Sequence, residues 1–139
     1  MTAQPYRATG VALGGTALLI EGPPGSGKSS LALALIDRGA ALVGDDGVML
    51  ERRDGRLWAL PPPAIAGLLE IRNVGIVTLA TEAAPVSLVI RLDGEAPRFV
   101  ETAEAIDLAG MRLPLIRLWP DSPVLALRAE RALALHGMR

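Results

Sequence analysis

A single stretch of sequence, GPPGSGKSS at residues 22–30, constrains the fold more than any other part of the chain. A glycine followed, after four further residues, by Gly-Lys-Ser forms a phosphate-binding loop when a strand precedes it and a helix opens from it. The apolar run at residues 16–21 predicts this strand, and residues 29–38 predict a helix that Gly39 ends. Inward-turned backbone N–H groups and the positive end of the helix then favour an anion. The motif therefore predicts a strand, a phosphate-binding loop and a helix in succession.

The side chains of this loop have separate predicted tasks. Lys28 is the only lysine in a chain whose other basic residues are arginine. Its compact ammonium on a flexible stem suits the β- and γ-phosphates of a nucleotide, and a planar guanidinium is not an equivalent substitute. Ser29 offers a hydroxyl to Mg²⁺. The residues predicted to bind the nucleotide are Gly22, Pro23, Pro24, Gly25, Ser26, Gly27, Lys28, Ser29 and Ser30.

Composition excludes several other classes of protein. The absence of cysteine excludes disulfides, a thiolate nucleophile and cysteine-ligated zinc, and the single histidine, His136, excludes a metal cluster built on imidazoles. A formal net charge of −1 without a basic block argues against nucleic acid as a partner. No apolar run reaches the length of about 18 residues that a membrane span needs, and the N-terminus carries no apolar signal-peptide core. We therefore expect a cytoplasmic domain without a membrane partner.

The remaining pattern predicts one α/β domain with a mixed sheet, spanning residues 1–139. Half of the residues are apolar, so a chain of this length can bury one aliphatic core. Further strands are predicted at residues 40–44, 48–52, 56–60, 86–92 and 112–119, with mixed strand and loop at 67–77. Residues 123–136 suit a terminal helix. Residues 93–110 are polar and predict a loop with little regular structure.

Charged residues near the ends of these strands are candidates for phosphate chemistry. Phosphoryl transfer needs one carboxylate near the metal and one that orients or deprotonates the acceptor. Asp45 and Asp46 close a predicted strand, where neighbouring side chains point to opposite sides, so we expect only one to face the phosphates. Glu70 interrupts an apolar run and is either a solvent-facing strand residue or a functional carboxylate. Arg72, two residues further on, would share its face if the segment is extended and could pair with it. Candidates for charge stabilisation are Arg91, Arg98, Arg112 and Arg117.

Two motifs in this order resemble the catalytic domain of HPr kinase/phosphorylase, a bifunctional bacterial enzyme of the phosphotransferase system. The first is GPPGSGKSSLALALIDRGAALVGDD at residues 22–46, and the second is LEIRNVGI at residues 69–76, where the family reads close to LEIRGLGI. The resemblance is clear over residues 7–78 and looser over 112–136. It implies a fold like that of phosphoenolpyruvate carboxykinase. The chain is similar to the short, catalytic-domain form of alphaproteobacteria, without the N-terminal domain of the longer form.

The resemblance implies an ATP- and Mg²⁺-dependent serine kinase that acts on an HPr-like phosphocarrier protein, with a reverse phosphorylase reaction and assembly as a hexamer. Carried over by position, the catalytic lysine is Lys28 and the carboxylate that takes the acceptor's proton is Asp45. The catalytic arginine further along is Arg98. The metal ligands are Ser29 and Glu70, and Asp46 is the additional carboxylate expected beside the metal.

Three features depart from the family's pattern. Arg7 stands where the family usually has a histidine, and Asn73 replaces the glycine of the second motif. Residues 114–122 do not match the arginine-rich loop associated with dephosphorylation. These departures give kinase activity more support than phosphorylase activity. Two alternatives stay open. The departures at Arg7 and Asn73 favour a sensor or scaffold module that binds nucleotide without phosphotransfer, and the phosphate loop in a small α/β domain also suits a kinase of a small metabolite.

Overall fold

Nine of the eleven strands in the computed structural model, which describes residues 2–138, belong to one mixed sheet. The first six strands are β1 (Gln4–Tyr6), β2 (Thr9–Leu13), β3 (Thr16–Glu21), β4 (Ala41–Gly44), β5 (Val48–Arg53) and β6 (Arg56–Leu60). The others are β7 (Leu68–Ile71), β8 (Gly75–Thr78), β9 (Ala84–Leu92), β10 (Glu104–Leu108) and β11 (Met111–Leu118). The helices are α1 (Lys28–Asp37) and α2 (Leu125–His136), and one 3₁₀ turn covers Pro63–Ile65.

The sheet branches at β9, its longest strand. The second half of β9 lies between β3 and β11 and is parallel to both, whereas Ala84 and Pro85 at its start pair antiparallel with β6. On one side the order continues from β3 through β2 to β4, and on the other from β6 through β5 to β1. Because β2 is antiparallel to both β3 and β4, the strands β3, β4 and β9 all end at one edge of the sheet. Ligand sites of open α/β sheets lie at this edge.

The core has two parts because β3 is buried on both faces. Successive side chains of a strand point to opposite faces. Ala17 and Leu19 pack in the cluster formed with β5, β6 and β11, whereas Leu18 and Ile20 pack in the cluster formed with the helices. The central strands therefore form a layer between the helices and the branch that carries β5 and β6.

The two helices cover the same face of the sheet. Helix α1 buries Leu31, Ala32 and Leu35, and α2 buries Ala129 and Ala132. Arg38, directly after the end of α1, links the two helices, because its Nε and Nη2 donate to the carboxylate of Glu130 in the middle of α2 at 2.8 and 2.9 Å. Helix α1 has 10 residues and α2 has 12, lengths that suit helices that cover one face of a sheet. Within residues 2–138, no helix has the length and apolar character needed to cross a membrane.

The α/β class and most predicted elements are confirmed, but one prediction is wrong. Residues 93–110, predicted as a loop, contain the strand β10, which pairs with β11 over its whole length at the outer edge of the sheet. Strands β1 and β2 were not predicted. The segment at 67–77 forms a separate two-stranded hairpin, β7–β8, outside the main sheet.

Candidate active site

The glycine-rich loop joins the end of β3 to the start of α1, as the motif predicts. Gly27, the residue before the helix, has a φ of 101°, a left-handed conformation that glycine adopts without steric cost. A Cβ at Gly22 would lie 2.5 Å from Ser26 Oγ, so close packing also requires a glycine there. Lys28 Nζ donates to the carbonyl oxygens of Gly22 at 2.8 Å and Pro23 at 3.1 Å. The ammonium group therefore lies over the loop, beside the positive end of the helix.

A first cavity of about 410 Å³ lies beside this end of α1. It is lined by the loop, by Asp45 and Asp46, and by residues 70–72 of the hairpin. Ser29 Oγ donates to Asp45 Oδ1 at 2.6 Å, and the buried Thr9 hydroxyl donates to the same oxygen at 3.3 Å. The sequence reasoning missed Thr9, although the Gly14-Gly15 pair is a hairpin signal that would have placed β2 beside β3.

Asp46 occupies a different environment from its neighbour. The chain turns after β4 ends at Gly44, and Asp46 has a φ of 59°. Its backbone N–H donates to Thr9 Oγ1 at 3.3 Å, while its side chain is 66% exposed and lies 3.9 Å from the Nε of Arg7. Asp45 is thus anchored to the metal-binding hydroxyl predicted at Ser29, whereas Asp46 is open to an incoming group.

The β7–β8 hairpin brings Glu70 to the wall of the first cavity. Glu70 is exposed and pairs across the hairpin with Ile76. Asn73 forms the turn with a φ of 68°, and Val74 N donates to Ile71 O at 3.0 Å. Asparagine is one of the few residues other than glycine that adopts this conformation readily. The asparagine therefore preserves the backbone geometry for which a glycine is suited.

The side chains around the first cavity fit Mg²⁺ that arrives with a nucleotide. Ser29, Asp45, Asp46 and Glu70 present oxygen donors to the same cavity. Among residues 2–138, no three acidic or histidine side chains converge closely enough to hold a metal by themselves. Mg²⁺ usually binds through one or two carboxylates together with phosphates and water. The donor set therefore suits a metal whose coordination the nucleotide completes.

A second cavity, of about 770 Å³, lies on the other flank of the loop. Lys28, Pro24 and Asp46 line both cavities. Its floor is formed by Glu21 at the end of β3 and by Arg91, its neighbour on β9. Arg91 Nε and Nη2 donate to Glu21 Oε1 at 3.1 and 2.8 Å, and the Tyr6 hydroxyl donates to the other oxygen, Oε2.

Tyr6 remains a protonated donor in this cluster. Burial raises the pKa of the Tyr6 hydroxyl well above its usual range, and the hydrogen bond to Glu21 raises the pKa further. The positive charge of Arg91 opposes this rise only in part. The floor of the second cavity therefore combines one carboxylate, one guanidinium and a neutral phenol, all joined by hydrogen bonds.

The structure does not bring Arg98 to the loop. Arg98 is exposed and lines a separate cavity with Trp119 and Arg128. Arg117 is engaged by Asp93 and Glu104, and Arg112 is exposed on β11. Of the four arginines considered from the sequence, Arg91 lines the cavity beside Lys28. Its signal in the sequence is a charged residue that interrupts the apolar run at 86–92.

The fold and this loop define the class of α/β domains with a phosphate-binding loop, and comparisons with known proteins narrow the class. A family model described as the HPr serine kinase C-terminal domain matches residues 3–92. The chain belongs to this family.

Two curated relatives match the chain in part. HPr kinase/phosphorylase of Streptococcus thermophilus is 37% identical over 118 residues, which covers 75% of this chain and 38% of that protein. HPr kinase/phosphorylase of Clostridium beijerinckii is 44% identical over 71 residues, covering 51% of this chain and 24% of the relative. The chain therefore spans less than half the length of these relatives.

A solved structure matches nearly the whole fold. The Hpr(Ser) kinase/phosphatase from Coxiella burnetii superposes with a TM-score of 0.79 at 25% sequence identity. The match covers 94% of this chain and 92% of that one. The predicted fold, that of the HPr kinase catalytic domain, is therefore confirmed.

Proposed function

We propose that this chain is a serine kinase that uses ATP and Mg²⁺ to phosphorylate an HPr-like phosphocarrier protein in the cytoplasm. Membership of the HPr serine kinase family supports the reaction type and the protein substrate. The observation that carries the proposal is the contact of Ser29 with Asp45 in the cavity that Lys28 also lines, at the edge where the strands end. A kinase needs this combination of a hydroxyl, a carboxylate and a cation around its phosphates.

The first cavity is the donor side of the proposed reaction. Backbone N–H groups of the loop and the Lys28 ammonium bind the phosphates of ATP. Ser29, Asp45 and Glu70 would hold Mg²⁺, which would supply positive charge to offset that of the phosphates. The loop and the metal ligands then keep the γ-phosphoryl group near the boundary that both cavities share, where Lys28 and Asp46 lie.

We assign the proton acceptor to Asp46, which exchanges the roles that the family resemblance implies for the two aspartates. Asp45 Oδ1 is already engaged by Ser29 and Thr9, whereas Asp46 is exposed and also lines the second cavity, which is the acceptor side of the proposed reaction. The serine Oγ forms a bond to the γ-phosphorus as the bond to the β–γ bridging oxygen breaks. The serine proton passes to the Asp46 carboxylate, and ADP leaves.

Arg7 supplies a fixed positive charge next to this acceptor. It lies 3.9 Å from Asp46, and a guanidinium cannot exchange protons at neutral pH. Arg7 can therefore attract the phosphoryl group, but it cannot accept the proton of the serine hydroxyl or return it. We accordingly propose that the forward kinase reaction dominates over phosphorolysis.

By resemblance to the family, we also propose that the chain works as a homo-oligomer, a hexamer. Light scattering would measure this oligomeric state.

A phosphotransfer assay tests the proposed function. Purified protein is mixed with ATP, Mg²⁺ and an HPr protein, and phosphoserine is measured by mass spectrometry. We expect transfer by the wild type and a loss of at least about 100-fold for Lys28→Ala, because a positioned cation at the reacting phosphates is removed. Arg38→Gln, which removes a cation at the far end of α1, is the matched control and should leave the rate unchanged.

The outcomes separate the proposal from its alternatives. Equal phosphoserine with the wild type and Lys28→Ala would contradict the assigned loop. Tight ATP binding without transfer to any HPr protein would indicate a nucleotide sensor or scaffold. Transfer to a small molecule in a metabolite screen would indicate a metabolite kinase.

A further inference from the structure

Arg91 is connected to the phosphate loop by a short series of contacts. Lys28 Nζ bonds the carbonyl oxygen of Gly22 at 2.8 Å, and the preceding residue, Glu21, accepts the Arg91 guanidinium at 2.8 Å. Leu92, the neighbour of Arg91, packs against Gly22 so closely that a Cβ there would lie 3.2 Å from Leu92 Cβ. The guanidinium group therefore lies beside the start of the loop, on the side away from the metal ligands.

The contacts of Arg91 also fix its direction. Both of its bonds to Glu21 reach the same oxygen, Oε1, while Tyr6 holds the other oxygen and so prevents the carboxylate from turning. Within the described part of the chain, Nη1 of Arg91 has no hydrogen-bond partner. The side chain is 34% exposed, toward a cavity that also contains Asp46 and Arg7. An N–H donor on a fixed guanidinium is thus available to a ligand in this cavity.

We propose that Arg91, held by Glu21 and Tyr6, contacts the transferred phosphoryl group from the acceptor side of the loop, in the role that sequence resemblance gives to Arg98. This inference rests on the proposed kinase function. As the phosphoryl group leaves ADP for the serine oxygen, negative charge spreads over its equatorial oxygens. Lys28 meets this charge from the donor side, and Arg91 from the acceptor side. Glu21 and Tyr6 are positioning residues that act through Arg91.

Kinetics of three arginine variants test the proposal. We expect Arg91→Gln to lower kcat on the order of 100-fold, as for the loss of other positioned donors, with little change in the dissociation constant for ATP. Arg98→Gln should retain nearly the wild-type kcat. Arg38→Gln is the matched control, because Arg38 makes the same Nε and Nη2 pair with a glutamate far from the loop. A wild-type kcat for Arg91→Gln, or an equal loss for Arg98→Gln, would overturn the proposal.

A double variant separates the loss of a contact from the exposure of a charge. Arg91→Gln alone leaves Glu21 partly buried without its cation, which could repel phosphate or destabilise the fold. Glu21→Gln combined with Arg91→Gln removes both charges together. If Arg91 contacts the phosphoryl group, the double variant stays as slow as the single one. Recovery of kcat in the double variant would show that the Glu21 charge caused the loss and would contradict the assignment.

A binding measurement keeps this inference separate from the question of the protein substrate. ADP, Mg²⁺ and aluminium fluoride together imitate the phosphoryl group in transfer and need no acceptor protein. Fluoride should tighten ADP binding to the wild type and to Arg98→Gln, but much less to Arg91→Gln, as calorimetry would measure. If the fluoride effect is much weaker in Arg91→Gln but no phosphate is transferred to HPr, the proposed function is rejected and the assignment of Arg91 is retained. If phosphate is transferred to HPr but fluoride acts equally on all variants, the proposed function is retained and the assignment of Arg91 is rejected.

Discussion

The two cavities that flank the phosphate loop differ in how their charges are balanced. On the donor side, the carboxylates of Asp45, Asp46 and Glu70 surround the cavity, and Lys28 is directed to the carbonyl oxygens of its own loop. On the acceptor side, Glu21 and Arg91 already neutralise each other across neighbouring strands. The donor side, where Lys28 and Arg72 stand against three carboxylates, is therefore suited to a cation that arrives with its ligand, whereas the acceptor side holds a paired guanidinium before a ligand arrives. Preorganised charges cost no reorganisation during the reaction, which makes them effective in catalysis.

The largest expected effect separates the two aspartates, which lie where the cavities meet. Asp46→Asn should lower kcat by about 10²- to 10⁴-fold, the usual contribution of a general base, with an unchanged requirement for Mg²⁺. Asp45→Asn should instead raise the Mg²⁺ concentration that gives half-maximal rate, because a charge beside Ser29 is lost. Initial rates over a Mg²⁺ series measure both effects. The opposite pattern would restore Asp45 as the proton acceptor and would remove the proposed division between donor and acceptor sides.

A smaller effect reports the preorganisation of the acceptor side directly. Tyr6 is the only tyrosine in the chain, so ultraviolet absorbance of the phenolate follows this residue alone. The pKa of the Tyr6 hydroxyl lies well above its ordinary value because of burial and then of Glu21. Glu21→Gln should lower it toward the ordinary value, since the neighbouring negative charge is removed.

The same titration predicts how stability depends on pH. The folded protein holds the Tyr6 proton more tightly than the unfolded chain does, so this contribution to the unfolding free energy is complete below pH of about 10. It declines as pH rises from there through the raised pKa of the folded state. Tyr6→Phe should abolish this part of the decline in denaturation experiments at high pH. An ordinary titration of Tyr6 in the wild type would mean that the acceptor side is not ordered in advance.

The smallest expected effect concerns the hairpin that carries Glu70 to the donor side. Asn73→Gly should leave the free energy of unfolding almost unchanged, whereas Asn73→Val should lower it by about 1–2 kcal/mol, because a branched residue is unfavourable at a positive φ. Chemical denaturation measures the difference. If valine at this position is as stable as glycine, the turn does not depend on the conformation of residue 73.

The donor side was largely predictable from sequence because its parts lie in two continuous motifs. The loop, Ser29 and Glu70 meet in one cavity as expected. The acceptor side was not predictable, since β1 and β9 bring Tyr6 and Arg91 together from distant positions in the chain. Pairing along the sheet, which no local pattern records, decides that proximity.

The same reason explains the errors in the fold. β10 was predicted as a loop because residues 93–110 are mostly polar; among the described strands it pairs with β11, which follows across a tight turn. Arg98 was selected by a loose resemblance in this polar segment, and the structure places it with Trp119 instead. The positions of residues on an edge strand or an exposed loop thus depend on tertiary pairing, whereas a glycine-rich motif restricts its own geometry.

Thr9 contacts both aspartates at the place where the donor and acceptor sides meet. Its buried hydroxyl donates to Asp45 and accepts from the backbone N–H of Asp46, at 3.3 Å in each case. A displacement of Asp45 toward a metal would therefore alter the contacts of Thr9 Oγ1, the same oxygen that accepts the backbone N–H of Asp46. In the proposed mechanism, binding of the donor is therefore coupled through Thr9 to the position of the carboxylate that receives the proton.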